Sequence, residues 1–181
     1  AHALEAAVKY LVLSAAASGF MLFGMALIYA QTGTLEFTSL THSLSNDGIG
    51  ESFSITAFIL LFSGLAFKLS LAPFHIWTPD VYEGSPLPST IYLATIGKAV
   101  IFIVLLRVVV STDALSLQSV SNAIALIAVV SIILGNLLAL LQKNIKRILS
   151  FSSIAHMGYL LIALIASLDS EGTISIETIT I

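Results

Sequence analysis

The architecture is governed by one stretch of the sequence, Gly64-Leu-Ala-Phe-Lys-Leu-Ser-Leu-Ala-Pro-Phe-His-Ile-Trp-Thr-Pro-Asp-Val-Tyr-Glu-Gly84. Lys68 lies deep inside a run that is otherwise apolar from Phe53 to Leu71, Pro73 interrupts that run, and His75 follows two residues later. A proline removes a backbone donor and clashes with the preceding turn, so a helix here is broken. Within a membrane, a buried charge beside such a break is typical of an ion pathway.

The composition of the chain requires a membrane. Of its 181 residues, 57% are hydrophobic and only 9% are charged, and the mean hydropathy is +1.04. A soluble domain carries about 25% charged residues, and several apolar runs here reach the roughly 20 residues that cross a bilayer. The alternating pattern of a membrane β-barrel is absent from the sequence. We therefore predict an all-α polytopic membrane protein.

Charge and cysteine content exclude several classes of function. The net charge of −3 is spread thinly and indicates no nucleic-acid partner. The chain has no cysteine, which excludes disulfides, thiolate catalysis and cysteine-ligated clusters within it. We also find no spacing typical of metal ligands, so no metal site is predicted.

Five transmembrane helices are predicted in a single membrane domain, over residues 4–30, 53–77, 89–110, 120–141 and 148–167. Because the chain begins Ala-His-Ala and ends Thr-Ile-Thr-Ile, we expect an internal fragment of a longer protein. Trp77 and Tyr82 are interpreted as interfacial aromatic residues.

The orientation follows from the positive-inside rule, which counts Lys and Arg in short loops. The turn with Lys143, Lys146 and Arg147 is predicted to be cytoplasmic. Counting spans from that turn places the start of the first helix and the 73–88 connection on the same side. The loops at 31–52 and 111–119 and the acidic tail from Asp169 are then predicted on the other side.

Lys68 and Lys98 are the candidate functional residues of greatest interest. Lys68 precedes Thr78 by ten residues and Lys98 follows Pro88 by ten, which places both roughly 15 Å deep on neighbouring helices. A lysine at the bilayer centre costs roughly 2.5–3.5 kcal/mol on insertion scales and is a functional candidate by default. The structural alternative is a lysine that carbonyls or a buried carboxylate satisfy. No carboxylate of this sequence lies in a predicted span at that depth, so we expect any acidic partner elsewhere.

Two histidines have alternative interpretations. His75, beside the break, suits a proton relay between the cytoplasm and Lys68, but it equally suits the freed backbone groups at the break. His156, with Ser152, Ser153 and Tyr159, forms a polar stripe that we interpret as helix packing by hydrogen bonds.

Four segments of the chain together resemble the antiporter-like membrane subunits of respiratory complex I, the proton-translocating NADH:quinone oxidoreductase. These segments are Phe67–Gly84, Ala94-Thr-Ile-Gly-Lys98, Gly135–Arg147 and Ser152-Ser-Ile-Ala-His-Met-Gly-Tyr159. The Pro-Phe-His-Ile-Trp-Thr-Pro-Asp form is similar to the N-subunit branch of that family. The resemblance implies fourteen helices with two inverted five-helix repeats, each containing a discontinuous helix. This chain would hold the sixth to tenth of those helices.

The resemblance also implies roles for the candidate residues. Lys68 would be the channel lysine on the broken helix, Lys98 the connecting lysine on the next helix, and His75 part of a hydrated entry or central polar axis. The family's ion-pair glutamate would precede Ala1 and the second broken helix would follow Ile181.

By the same resemblance the chain is a proton-translocating subunit without a redox centre. NADH, FMN, iron–sulfur clusters and quinone would be bound by other subunits. The expected partners are the other membrane-arm subunits and the lipid bilayer, in a bacterial inner membrane or alternatively an organellar inner membrane. Two alternatives stay open: a subunit of a multisubunit cation/proton antiporter or membrane-bound hydrogenase, and a structural scaffold that conducts nothing.

Overall fold

The computed structural model describes residues 2–36, 51–112, 115 and 118–169, and the described residues contain helices and no strands. The helices are α1 (His2–Thr32), α2 (Glu51–Leu69), α3 (Trp77–Gly84), α4 (Leu87–Ala94), α5 (Ile96–Thr112), α6 (Gln118–Leu140) and α7 (Ile145–Asp169). The prediction of an all-α fold with a discontinuous helix is confirmed. Most of the 31–52 loop and the acidic tail, whose side of the membrane was predicted, lie outside the described residues.

Four stretches within this part of the chain are long and apolar enough to cross a membrane: Ala3–Thr32, Leu87–Thr112, Gln118–Leu140 and Ile145–Ser167. A fifth apolar segment, Ile55–Leu69, is shorter because the helix that contains it is broken. The chain is therefore a multi-pass membrane protein.

The break after α2 begins earlier than the proline suggests. The sequence predicts a helix that reaches Leu71 before Pro73 breaks the 53–77 span, whereas α2 ends at Leu69 and the next helix begins only at Trp77. Ser70 has a φ of 63°, in the left-handed region that ends many helices. Two hydrogen bonds then close the helix end, from Ser70 N to Phe67 O (3.0 Å) and from Leu71 N to Ala66 O (2.9 Å).

The third predicted helix, 89–110, is interrupted at Thr95. Thr95 departs from helical geometry with φ −112° and ψ −83°, which separates α4 from α5. Its hydroxyl donates to the carbonyl of Ile91 (2.7 Å), a local bond that competes with the regular helical ladder. No proline or glycine occupies this position, so the sequence pattern gave no signal for the break.

Glycines allow the helices to pack in two close antiparallel pairs. A Cβ on Gly24 of α1 would lie 2.6 Å from Leu61 N of α2, and one on Gly64 of α2 would lie 2.7 Å from Ala17 O of α1. The α6–α7 pair shows the same arrangement at Gly135, where a Cβ would lie 2.8 Å from the backbone of α7. Such small-residue contacts are the usual basis of helix association in membranes.

Two apolar clusters hold the helices together. The larger cluster lies between α2, α5, α6 and α7 and includes the fully buried Leu65, Leu105, Ile124 and Leu161. The smaller cluster joins the end of α2 to α1 and α3, through Phe67, Trp77, Val81, Tyr82 and Ala17. Both clusters include residues next to the helix break, Leu69 and Leu71 in the larger one and Phe67 and Trp77 in the smaller one.

We expect Gly24→Ala to destabilise the α1–α2 pair, because the added methyl group meets backbone atoms that cannot move aside. Overpacking of this kind costs about 1–3 kcal/mol, so the thermal unfolding midpoint of the full-length subunit in detergent should fall. Gly19→Ala on the same helix is the matched control, since a Cβ there meets nothing within 4 Å. Equal midpoints for the two variants would contradict the close packing at Gly24.

Candidate functional site

The helix break is held by hydrogen bonds from two other helices. Ala72 N donates to Ser131 Oγ of α6 (2.9 Å), and Ser131 Oγ donates in turn to the carbonyl of Ile127 (2.7 Å). Trp77 Nε1 of α3 donates to the carbonyl of Phe67 near the end of α2 (3.0 Å). Hydrocarbon offers no water to backbone groups that leave a helix, so these bonds let the break exist within a membrane protein.

Lys68 lies in the last turn of α2, directly before the break, and its side chain is half-buried. It borders a groove of about 260 Å³ whose walls include Tyr10 of α1, Trp77 of α3, and Tyr92 and Gly97 of the α4–α5 span. The C-terminal end of a helix carries partial negative charge, which favours a cation at this position. Lys68 is therefore a basic residue at a helix end that borders an aromatic-lined groove.

Lys98 occupies a different environment, the interior of the bundle. It is only 1% exposed, and its Nζ donates to Ser153 Oγ of α7 (2.7 Å). The same Nζ lies 5.9 Å from the centre of the Tyr82 ring of α3. In the described part of the chain no carboxylate forms an ion pair with Lys98. A buried ammonium with neutral partners is costly to keep charged, so its protonation responds to small changes around it.

The two candidate lysines thus lie on neighbouring spans but have separate surroundings. Gly97 borders the groove of Lys68, whereas the next residue, Lys98, is directed toward α7. The prediction that both lysines lie deep in adjacent helices stays a prediction with regard to membrane depth.

His75 lies in the break and is partly buried. Its carbonyl accepts from Thr78 N (3.0 Å), and its Nδ1 is buried without a hydrogen bond to any described residue. The structure gives no hydrogen bond between His75 and Lys68. The relay role predicted for His75 stays a prediction.

The polar stripe of α7 joins that helix to two neighbours, although not through its histidine. Ser153 accepts from Lys98, and the Tyr159 hydroxyl accepts from Asn136 Nδ2 of α6 (3.2 Å). His156 is exposed, and its ring centre lies 6.4 Å from that of Tyr159.

Sequence reasoning missed the role of two aromatic residues. Trp77 and Tyr82 were predicted at the membrane interface, whereas they are 3% and 1% exposed and pack inside the bundle. Trp77 stacks on Phe67 (5.4 Å between ring centres) and approaches Tyr10 (5.0 Å). An amphipathic ring satisfies either environment, so its position depends on tertiary packing that the sequence pattern does not contain.

A cluster of charged side chains lies at one end of the bundle, and we call it the end cluster. Lys9 of α1 pairs with Glu5 (2.7 Å) and Asp80 (3.1 Å), and Arg147 of α7 pairs with Glu83 (2.8 Å) and Asp80 (3.4 Å). The predicted orientation places these three segments on the same side, and the ion pairs confirm that they share one end. The identity of that side as cytoplasmic stays a prediction.

The first residues of α7 also fix the C-terminal end of α3. Lys146 Nζ donates to the carbonyls of Glu83 (3.4 Å) and Ser85 (3.0 Å), and Asn144 Nδ2 donates to Glu83 Oε1 (2.8 Å). The hydrogen bond from Arg147 holds the pKa of the Glu83 carboxyl below its usual value. The stabilisation from this pair is therefore present above the usual titration range of a glutamate and is lost as pH falls through the lowered pKa.

Comparison with known proteins decides the family. Residues 1–180 match the family described as NADH:quinone oxidoreductase/Mrp antiporter, transmembrane. The chain belongs to this family. The prediction of an antiporter-like membrane subunit is thereby confirmed at the level of the family.

Solved structures of three complexes contain chains that resemble this family member. A chain of respiratory complex I from Thermus thermophilus with bound aureothin is 45% identical, with a TM-score of 0.74 over 89% of this chain and 34% of that one. A chain of an archaeal membrane-bound sulfane sulfur reductase is 32% identical, with a TM-score of 0.79 over 90% of this chain and 33% of that one. A chain of the Mrp complex from Dietzia sp. DQ12-45-1b shares the fold, with 23% identity and a TM-score of 0.80 over 90% and 29%. The present chain spans about a third of the length of these chains.

We expect Ser131→Ala to destabilise the break, because it leaves the buried Ala72 N–H without its acceptor. An unsatisfied buried donor costs about 1–3 kcal/mol, so the unfolding midpoint of the full-length subunit should fall. Ser63→Ala is the matched control, since that hydroxyl donates to the carbonyl of Leu60 within its own helix (2.8 Å). If both variants unfold at the same temperature, α6 does not support the break in this way.

Proposed function

We propose that this chain is part of a proton-translocating membrane-arm subunit of NADH:quinone oxidoreductase, namely subunit N, called subunit 2 in mitochondria. The observation that carries the proposal is Lys98, a lysine 1% exposed in an antiporter-family span, whose ammonium is met by a hydroxyl and an aromatic ring. A lysine within a membrane span costs free energy to insert, so it is a functional candidate by default. In these surroundings the Lys98 amine can bind or release a proton when a nearby charge moves.

Lys68 and Lys98 divide the task in this proposal. Lys68, at the end of α2, receives a proton beside the break, and the groove between α1, α3 and the α4–α5 span gives access to its amine. Lys98 then carries the charge laterally toward α7. His75, in the break, is proposed to help to connect Lys68 with the side of the membrane that bears the end cluster.

The subunit takes part in the enzyme reaction without redox chemistry of its own. We propose that NADH, FMN, iron–sulfur clusters and quinone are bound by other subunits, and that quinone reduction there shifts charges beside Lys68. A carboxylate outside this chain, or on a neighbouring subunit, is the proposed moving counter-charge. The proposed partners are the other membrane-arm subunits, in a bacterial inner membrane.

A subunit of a multisubunit cation/proton antiporter, or of a related reductase or hydrogenase, is the second candidate. Two observations favour it: the matched family includes Mrp antiporters as well as the oxidoreductase, and the TM-score to the sulfane sulfur reductase chain is 0.79 against 0.74 for the Thermus thermophilus chain. The higher sequence identity to the Thermus thermophilus chain, 45% against 32% and 23%, favours the first candidate.

We expect Lys68→Ala and Lys98→Ala in the full-length subunit to lower proton translocation per NADH oxidised at least about tenfold. The reason is that a positioned acid–base group contributes roughly 10²–10⁴-fold to a proton-transfer step. The measurement is proton uptake into membrane vesicles, normalised to the amount of complex assembled on a native gel. Lys68→Arg should restore part of the translocation because it keeps the charge.

Lys143→Ala is the matched control, since Lys143 is an exposed lysine in the turn between α6 and α7. It should leave translocation per assembled complex unchanged. A scaffold predicts instead that the Lys68 and Lys98 variants lose assembly and activity in proportion. Unchanged translocation in both variants would refute the proposed function. An antiporter subunit would instead support cation-dependent proton exchange in vesicles without NADH.

A further inference from the structure

The short helix α3 contacts Lys98 and also contributes two carboxylates, Asp80 and Glu83, to the end cluster. Tyr82 and Glu83 are successive residues of α3, so their side chains point about 100° apart around its axis. Tyr82 is buried and its ring faces Lys98 Nζ at 5.9 Å. Glu83 is exposed and pairs with Arg147 at 2.8 Å. A rigid helix of eight residues cannot displace one of these side chains without displacing the other.

Helix α7 also contacts both Lys98 and the carboxylates of α3. Ser153 accepts the hydrogen bond of Lys98, and Arg147 receives the carboxylates of α3. These two residues are six positions apart, or about 9 Å along the helix axis. Helices α3 and α7 are therefore joined at two levels, by the ion pairs at the end of the bundle and by Lys98 farther inside.

The groups around the Lys98 ammonium are few and neutral. From α3 the Tyr82 ring faces it, and from α7 the Ser153 hydroxyl accepts a hydrogen bond from it. The Tyr82 hydroxyl is buried beside Ser153 without a hydrogen bond of good geometry. Among the described residues no other titratable or charged group contacts Lys98. Both neighbours interact more strongly with the charged lysine than with the neutral one, the Ser153 hydroxyl through a charge-assisted hydrogen bond and the Tyr82 ring through a cation–π attraction.

We propose that α3 couples the charge state of Lys98 to the ion pairs of the end cluster, with Tyr82 as the positioning residue. The proposal rests on the proposed role of Lys98 in proton translocation. When Lys98 is charged, its attraction to the Tyr82 ring favours the docked position of α3, in which Glu83 meets Arg147. Coupling between two sites is reciprocal, so the ion pairs in turn favour the charged form of Lys98.

The contacts of α3 allow a small movement at its C-terminal end. Trp77 anchors its first turn in the aromatic cluster, through stacking on Phe67 and the bond to the Phe67 carbonyl. Its last turn is held by partly exposed groups of α7, Lys146 and Arg147, whose interactions solvent screens in part. The end of α3 that bears Tyr82 and Glu83 is therefore the end that a change in charge can shift.

The test is the pH profile of proton translocation per NADH oxidised, measured in vesicles that carry the assembled complex with the full-length subunit. We expect Tyr82→Leu to move the alkaline limb of the profile by about one pH unit to lower pH, because the ammonium loses its aromatic partner. Tyr82→Phe keeps the ring and should keep the wild-type profile. Tyr29→Leu, at an exposed aromatic residue of α1, is the control for loss of a ring.

The coupling is tested by Glu83→Gln, which keeps the size of the side chain and its acceptor for Asn144 but removes the charge that Arg147 binds. We expect a shift in the same direction, of a few tenths of a pH unit, as suits an exposed ion pair. The double variant Tyr82→Leu/Glu83→Gln should shift no further than Tyr82→Leu alone, because α3 then no longer contacts the ammonium. Glu36→Gln, a carboxylate beyond the far end of α1, is the matched control.

Three outcomes would overturn the proposal while leaving the proposed function intact. They are equal profiles for Tyr82→Phe and Tyr82→Leu, an unmoved profile in Glu83→Gln, or additive shifts in the double variant. Failure of the proposed function has a separate signature, which is normal translocation in Lys98→Ala. The surface substitution Glu83→Gln keeps the test decisive even if Tyr82→Leu lowers assembly.

Discussion

A break in a membrane helix exposes backbone groups that no solvent can satisfy, and the rest of this structure depends on how that requirement is met. The amide of Ala72 is satisfied by a serine of α6, and the carbonyl of Phe67 accepts from the indole of Trp77 as well as from Ser70 N. In hydrocarbon, each backbone donor or acceptor that lacks a hydrogen-bond partner costs several kilocalories per mole of free energy. The two bonds therefore fix α6 and α3 against the end of α2, and with them the surroundings of Lys68.

The position of α3 in turn determines the surroundings of Lys98. Insertion of a lysine at the bilayer centre costs roughly 2.5–3.5 kcal/mol. A hydrogen bond to a charged group returns about 1.5–3 kcal/mol, and a desolvated cation–aromatic contact returns about 2 kcal/mol. These terms are of similar size, so the Ser153 hydroxyl and the Tyr82 ring can together offset the cost of a charged lysine at this position.

Much of this fold follows from the sequence, whereas its irregular parts do not. Hydropathy locates the spans because each must present about 20 apolar residues to the bilayer. Pro73 reveals a break, but its extent depends on the left-handed conformation of Ser70 and on the burial of Trp77. The interruption at Thr95 has no sequence signal, since threonine is common within membrane helices. Likewise, Lys98 is recognisable as a buried charge from its position, but its partner Ser153 lies 55 residues away and becomes visible only when α5 and α7 pack.

The charges at the end of the bundle connect topology with the site. Lysine and arginine orient a membrane protein by their number in short loops, whereas aspartate and glutamate contribute little to that choice. Carboxylates can therefore lie on the same side as the basic residues, and Asp80 and Glu83 of α3 do so, where they pair with Lys9 and Arg147. The basic residues that are predicted to orient the spans thus also hold α3 at the end of the bundle. Since α3 carries Tyr82, a reversal of those charges would change the neighbours of Lys98 as well as the orientation of the helices.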